Sequence, residues 1–127
     1  MGLVLDTNAL SALAEGEPKA VKACTSANEI AIPVIVLGEY HFGIAQSRHK
    51  REYQRWLDEL LPACRVLVID EETAFSYATL RGELRKAGTP IPSNDIWIAA
   101  LCRQYVLPVL TRDDHFEAVA GLERFSW

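Results

Sequence analysis

Short apolar segments alternate with longer segments of helical character along the whole chain. The runs GLVLD, EIAI, RVLVID and PVLT have the length and composition of buried strands. Between them lie stretches such as TNALSALAEG and EETAFSYATLRGELRKAG, in which apolar residues recur at helical spacing. Strands that alternate with helices pair in parallel and are covered on both faces. The pattern predicts an α/β fold, a three-layer α/β/α sandwich with a mostly parallel sheet of four to five strands.

Proline and glycine mark several boundaries within this pattern. Pro18 and Pro33 are placed to begin helices, and Gly88 is placed to end a long one. The stiff loop TPIPSND presents Ser93 as an N-cap candidate for the apolar helix IWIAALCRQYV. RVLVID is expected to be a buried strand and LERFSW an edge strand. With no linker or repeat in the sequence, one domain is expected over residues 1–127.

Composition narrows the classes of function. Half of the 127 residues are hydrophobic, which is typical of one folded domain and not of a disordered chain. The three cysteines are widely spaced without a CxxC pair, and the three histidines show no paired ligand spacing, so neither a disulfide framework nor a zinc site is indicated. No signal peptide or membrane-spanning run is recognisable, so a soluble cytoplasmic protein is expected.

The segment AIPVIVLGEYHFGIA contains one acid, Glu39, in an otherwise apolar helical run. Its helical neighbours are Ile35, Val36, Phe42 and Gly43, which predicts that the carboxylate lies on a core-facing stripe. A buried carboxylate needs a partner, a shifted pKa or a bound cation. Because Glu39 lies in the middle of its helix, capping does not explain it.

Three further acids stand where elements meet. Asp6 and Asp113 follow strands, and Asp95 stands in the first turn of a helix. Each alone is explained as a helix cap or by the helix dipole. Together they are expected at the carboxyl edge of the sheet, where parallel α/β folds bind ligands. Converging carboxylates repel one another unless cations neutralise them, and oxygen ligands favour magnesium or manganese.

Four motifs in order, LVLDTNAL, IPVIVLGE, GTPIPSNDIWIAA and LTRDDHF, strongly resemble a PIN domain. More narrowly, the chain is similar to the VapC toxins of type II toxin–antitoxin pairs. The resemblance implies a PIN-like fold and four metal-binding, catalytic acids: Asp6, Glu39, Asp95 and Asp113. It also implies supporting roles at Asn8 and Thr111. Asp114 adjoins the family position, so either Asp113 or Asp114 is expected to face the cation.

By the same resemblance, the chain is expected to be an endoribonuclease that depends on Mg²⁺, with Mn²⁺ as an alternative. The family cleaves cellular RNA, often tRNA or rRNA, by metal-activated water, and a VapB-like antitoxin restrains it. A homodimer is also expected. The alternatives are a housekeeping PIN-domain nuclease without antitoxin and a non-catalytic interaction module. A phosphotransferase of the haloacid dehalogenase type is disfavoured, because Asn8 stands where a second acid is needed.

Two basic runs are candidates for contact with RNA. The first consists of Arg48, His49, Lys50 and Arg51, and the second, on a predicted helix, of Arg81, Arg85 and Lys86. Each run is explained either as a solvated helix face or as a phosphate contact. The net charge of −4 argues against binding of nucleic acid through overall charge. Trp56 and Trp97 are expected in the core or at a dimer contact.

Overall fold

Five parallel strands form one sheet in the order β3-β2-β1-β4-β5. The computed structural model describes every residue, Met1–Trp127. The strands are β1 Gly2–Leu5, β2 Glu29–Pro33, β3 Arg65–Leu67, β4 Val109–Leu110 and β5 Arg124–Phe125. The predicted α/β fold with a parallel sheet is confirmed, and LERFSW supplies an edge strand as expected.

Six α-helices flank the sheet: α1 Thr7–Ala14, α2 Pro18–Ser26, α3 Val34–Ala45, α4 Lys50–Leu60, α5 Glu71–Lys86 and α6 Ser93–Tyr105. Two short 3₁₀ helices, Leu61–Ala63 and Asp114–Ala118, complete the secondary structure. None of the helices combines the length and apolar composition that crossing a membrane requires. The predicted helix starts near Pro18 and Pro33 are confirmed.

The strand order reverses between β1 and β4. The chain builds β1, β2 and β3 towards one edge and then returns to place β4 and β5 on the other side of β1. The N–H of Asp6 reaches the carbonyl of Leu110 at 3.4 Å, so the carboxyl ends of the two strands lie side by side. In open α/β sheets, ligands bind at such a reversal point.

Buried apolar residues pack around this edge. A cluster of 23 buried apolar residues includes Val4, Leu5 and Leu110 of the central strands, all fully buried. Helix α6 contributes Ile98 and Leu101, which are at most 1% exposed. Because α6 is packed so deeply, its first turn has a fixed position against the sheet. None of the three cysteines forms a disulfide.

The expected burial of RVLVID is wrong. Only Arg65–Leu67 forms a strand, and Val66 and Val68 are 39% and 55% exposed. The reason is the strand order, since β3 is an edge strand that pairs only with β2. An apolar run predicts a strand but not its place in the sheet.

The predicted N-cap at Ser93 is also wrong. Helix α6 begins at Ser93 with Pro92 in the cap position, and no side chain caps its first turn. The Ser93 hydroxyl instead lies 3.0 Å from the hydroxyl of Tyr77 on α5. The N–H groups at the start of α6 are therefore left to solvent or a ligand.

Candidate metal centre

Asp6 follows β1 directly and is 4% exposed. Its Oδ1 accepts a hydrogen bond of 2.8 Å from the N–H of Ala9, which caps α1, and its Oδ2 accepts one from the hydroxyl of Thr111. Burial raises the pKa of Asp6, the two hydrogen bonds lower it, and the charges of Asp95 and Asp113 raise it further. The net shift is upwards, so the charged form of Asp6 is less favourable in this site than in water.

Thr111 connects the ends of the two central strands. It follows β4 and is fully buried. Its hydroxyl donates to Asp6 while its oxygen accepts a 2.9 Å hydrogen bond from the N–H of Asp113. One hydroxyl group thus sets the position of both acids at the reversal point. Thr111 contacts both acids, and its supporting role at a metal centre stays a prediction.

Asp95, Asp113 and His115 form a compact cluster. The Nδ1 of His115 lies 2.9 Å from Oδ2 of Asp95 and 3.0 Å from Oδ1 of Asp113. The N–H of His115 also donates to that Asp113 oxygen at 2.9 Å. The hydrogen bond with Asp95 is the largest of the effects that raise the pKa of His115. Three potential ligand atoms lie within 4.8 Å of one another.

Asp95 also interacts electrostatically with an acid outside the cluster. Burial raises the pKa of Asp95, the His115 hydrogen bond lowers it, and the charges of Asp113 and Glu39 raise it. Asp6 responds in turn to the charges of Asp95 and Asp113. The four predicted acids therefore share one electrostatic environment.

Glu39, on α3, is the fourth acid of this site, but it does not lie on the buried face of its helix. The buried residues of α3 are Val36, Tyr40 and Ile44, which recur every four positions. Glu39 lies one position before Tyr40, about 100° around the helix, and is exposed. The expected core-facing position is therefore wrong. The carboxylate is held instead by the Thr7 hydroxyl, which donates to Oε1 at 3.0 Å.

Asp113 and Asp114 point in different directions. Asp113 contacts His115, whereas the Asp114 side chain is 87% exposed and lies 3.6 Å from the guanidinium of Arg124. Of the two aspartates, Asp113 is the one in the cluster. Asn8 is exposed and its side chain makes no hydrogen bond, so the expected supporting contact of Asn8 is not seen.

His115 is the site residue that sequence reasoning missed. The sequence lacks the paired-histidine spacing that indicates a metal site, and His115 pairs with two aspartates instead. The spacing Asp-x-His at the start of a short helix was the available local signal, because it lets the His115 N–H and ring reach one carboxylate. Asp95, the other partner, is 20 residues away and only the fold brings it near.

The donor set fits a divalent cation. Carboxylates that raise one another's pKa are relieved when a cation binds between them. Carboxylate oxygens suit magnesium or manganese, and the imidazole of His115 adds a nitrogen that manganese accepts more readily than magnesium does. Asp95, Asp113 and His115 are near enough to share one ion.

The fold and the site together define a parallel α/β protein with an acidic centre at its reversal point. Comparison with known proteins identifies the family within this class. The model of the PIN domain family matches residues 3–122. The chain therefore belongs to the PIN domain family, and within it to the VapC ribonucleases.

Two relatives cover nearly the whole chain. Ribonuclease VapC5 of Mycobacterium tuberculosis is 31% identical over 120 residues, which cover 93% of this chain and 87% of the relative. VapC ribonuclease Y4jK of Sinorhizobium fredii is 35% identical over 131 residues, which cover 95% and 94%.

Two solved structures are similar in fold over nearly their whole length. VapBC2 from Rickettsia felis, bound to a DNA fragment from its promoter, matches with a TM-score of 0.87 and 27% identity, covering 100% of this chain and 99% of that one. FitAcB from Neisseria gonorrhoeae matches with a TM-score of 0.82 and 29% identity, covering 97% and 96%.

Proposed function

We propose that this chain is a metal-dependent endoribonuclease and the toxin component of a VapBC-type toxin–antitoxin module. The observation that carries the proposal is the convergence of Asp6, Asp95 and Asp113 at the reversal point of the sheet. This convergence occurs in a chain of the VapC ribonuclease family.

Asp6, Glu39, Asp95 and Asp113 would hold Mg²⁺ or Mn²⁺, and His115 would join them. A divalent cation bound there supplies a Lewis acid for a phosphodiester and makes a water molecule a usable nucleophile near neutral pH. No histidine general base is required for such chemistry.

The other residues of the site position the acids. The N–H of Ala9 and the hydroxyl of Thr111 orient the two oxygens of Asp6. The hydroxyl of Thr7 orients Glu39 across the gap between α1 and α3. Such contacts reduce the freedom that each carboxylate loses when it binds a cation, which favours binding.

The substrate in this proposal is cellular RNA in the cytoplasm, tRNA or rRNA. The relatives are named ribonucleases, and RNA hydrolysis needs the same phosphodiester chemistry that an acidic metal centre supports. The choice of tRNA or rRNA rests on the family resemblance alone.

The proposed partner is a VapB-like antitoxin. It is supported by the similarity to VapBC2 and to VapBC-5 from Mycobacterium tuberculosis, a member of the VapBC family of toxin–antitoxin systems. A basic side chain of such a partner could pair with the acids of the metal centre. The proposal also includes a homodimer, in which a second copy would cover exposed apolar side chains such as Phe42 and Phe75.

Sequencing of RNA ends after brief expression in a bacterial host tests the function. The arms are the chain, its Asp95→Asn variant, and the chain co-expressed with the product of the neighbouring gene. We expect new ends at defined positions in tRNA or rRNA with the chain alone, none with the variant, and far fewer with the neighbour present. Equal cleavage by the variant would contradict the site, and cleavage unaffected by the neighbour would indicate a housekeeping nuclease.

A further inference from the structure

An open cavity of about 400 Å³ lies between α5 and the loop that leads into α6. Its only charged lining residues are Arg81 and Arg85, and no aspartate or glutamate lines it. The molecule as a whole carries a net charge of −4. The cavity is therefore a local concentration of positive charge on an acidic protein.

Neither guanidinium is neutralised by a carboxylate. Arg81 and Arg85 are exposed, and no ion pair of the structure includes them. Glu83, which lies between them in sequence, pairs instead with Arg103 on α6. Arginine side chains without a carboxylate partner at the wall of a cavity are suited to bind an oxyanion in a bidentate manner.

Arg81 is also held in place. Its Nη1 donates to the hydroxyl of Tyr77 at 3.1 Å, and that hydroxyl lies 3.0 Å from the hydroxyl of Ser93. The ring of Tyr77 stacks on Trp97 with centroids 3.9 Å apart. Trp97 thus has a structural role, and these contacts fix the arginine-bearing face of α5 against the start of α6.

The cavity flanks the acidic centre across one helix end. Ser93, which lines the cavity, and Asp95 are both in the first turn of α6, about 3 Å apart along its axis and on opposite sides of it. The N–H groups of this turn have no side-chain cap, and they carry the positive end of the helix dipole. An anionic strand that crosses the end of α6 would meet both the cavity and the acidic centre.

We propose that the cavity is a phosphate subsite for the RNA strand, in which Arg81 and Arg85 bind the backbone beside the acidic centre. The inference rests on the proposed ribonuclease function and specifies the residues that would bind the phosphates of the substrate. An acidic centre repels RNA at long range, and a flanking pair of arginines offsets this repulsion where the strand must enter.

Binding of a short, mixed-sequence single-stranded RNA, followed by fluorescence anisotropy, tests the subsite. All proteins carry Asp95→Asn so that the RNA stays intact. The test variant carries Arg81→Gln and Arg85→Gln in addition. The matched control adds Lys19→Gln with Lys22→Gln, which removes the same charge from exposed residues of α2 that no ion pair includes. Thermal melting confirms that each protein is folded.

We expect the arginine pair to weaken RNA binding by about tenfold and the control pair by less than about twofold. The slope of log affinity against log salt should fall by about 0.7 for each phosphate that the variant no longer binds. Equal weakening by both pairs, or by neither, would overturn the subsite. If the arginine variants bind RNA normally but fail to bind the antitoxin, the subsite is overturned too, since the cavity then serves a protein.

A separate cleavage assay with the unmodified chain keeps the two proposals apart. If the unmodified chain cleaves RNA but the two arginine substitutions leave RNA binding unchanged, the subsite is overturned and the ribonuclease function stands. Absence of any RNA cleavage would contradict the function, while arginine-dependent RNA binding would still support the cavity as a phosphate site.

Discussion

Asp6 combines a structural role and a proposed catalytic one in a single carboxylate. One oxygen caps α1 through the N–H of Ala9, and the other accepts from Thr111. The cap was recognisable from sequence, because an acid directly before a helix is a common N-cap. The raised pKa was not, since it depends on burial and on Asp95 and Asp113, which only the fold brings near. His115 has a local signal in the spacing Asp-x-His, but its second partner, Asp95, is brought near only by the fold.

Asp6→Asn should abolish the stabilisation of the protein by metal. Burial raises the pKa of Asp6, so an uncharged residue removes the cost of burying a charge, but the amide N–H₂ of asparagine cannot accept the Thr111 hydrogen bond, which offsets that gain. Thermal melting with and without Mg²⁺ or Mn²⁺ is the measurement. A metal response that Asp6→Asn leaves intact would make Asp6 a purely structural acid.

Glu39→Gln is the matched control at an exposed acid. Because Glu39 is exposed and its Thr7 contact survives in glutamine, its metal-free stability should change by less than about 0.5 kcal/mol. RNA cleavage should fall severely if Glu39 helps hold the cation. Unfolding of this variant with unchanged activity per folded molecule would contradict that role.

At the scale of elements, the boundaries set by local chemistry were predictable and those set by tertiary contacts were not. Pro18 and Pro33 lie at helix starts, as their fixed φ angles favour. Ser93 was expected to cap α6, but its hydroxyl bonds to Tyr77 on another helix. The exposure of β3 depends on strand order, which no local pattern encodes.

Val106→Gly should stabilise the protein. Val106 ends α6 with φ 54° and ψ 52° and is 87% exposed, so a β-branched residue occupies a left-handed conformation without any burial in return. This conformation costs a residue with a Cβ about 1–2 kcal/mol, which glycine avoids. Chemical denaturation should show a gain of about 1 kcal/mol.

Gly88→Ala is the matched control for Val106→Gly. Gly88 follows α5 with φ +70°, and an added Cβ would meet no atom within 4 Å. The substitution therefore tests backbone conformation alone and should cost about 1 kcal/mol. A loss of stability at Val106→Gly, or no loss at Gly88→Ala, would contradict the conformational explanation.

At the scale of the molecule, the topology explains why the acids meet. Asp6 and Asp113 lie 107 positions apart but follow neighbouring strands, because the chain reverses its direction of winding between β1 and β4. The alternation of strands and helices predicted this edge as the ligand site. The sequence indicates only a basic run at Arg81 and Arg85. It does not predict the cavity, because residues of the loop before α6 also line it.

RNA cleavage by the purified protein, measured against metal concentration, tests the central claim most directly. A single series compares the unmodified chain with Asp95→Asn in excess chelator and at rising Mg²⁺ or Mn²⁺. The account predicts that the unmodified chain cleaves RNA only when metal is added, and that Asp95→Asn stays inactive at every metal concentration. Cleavage that persists in chelator, or that Asp95→Asn retains in full, would contradict it.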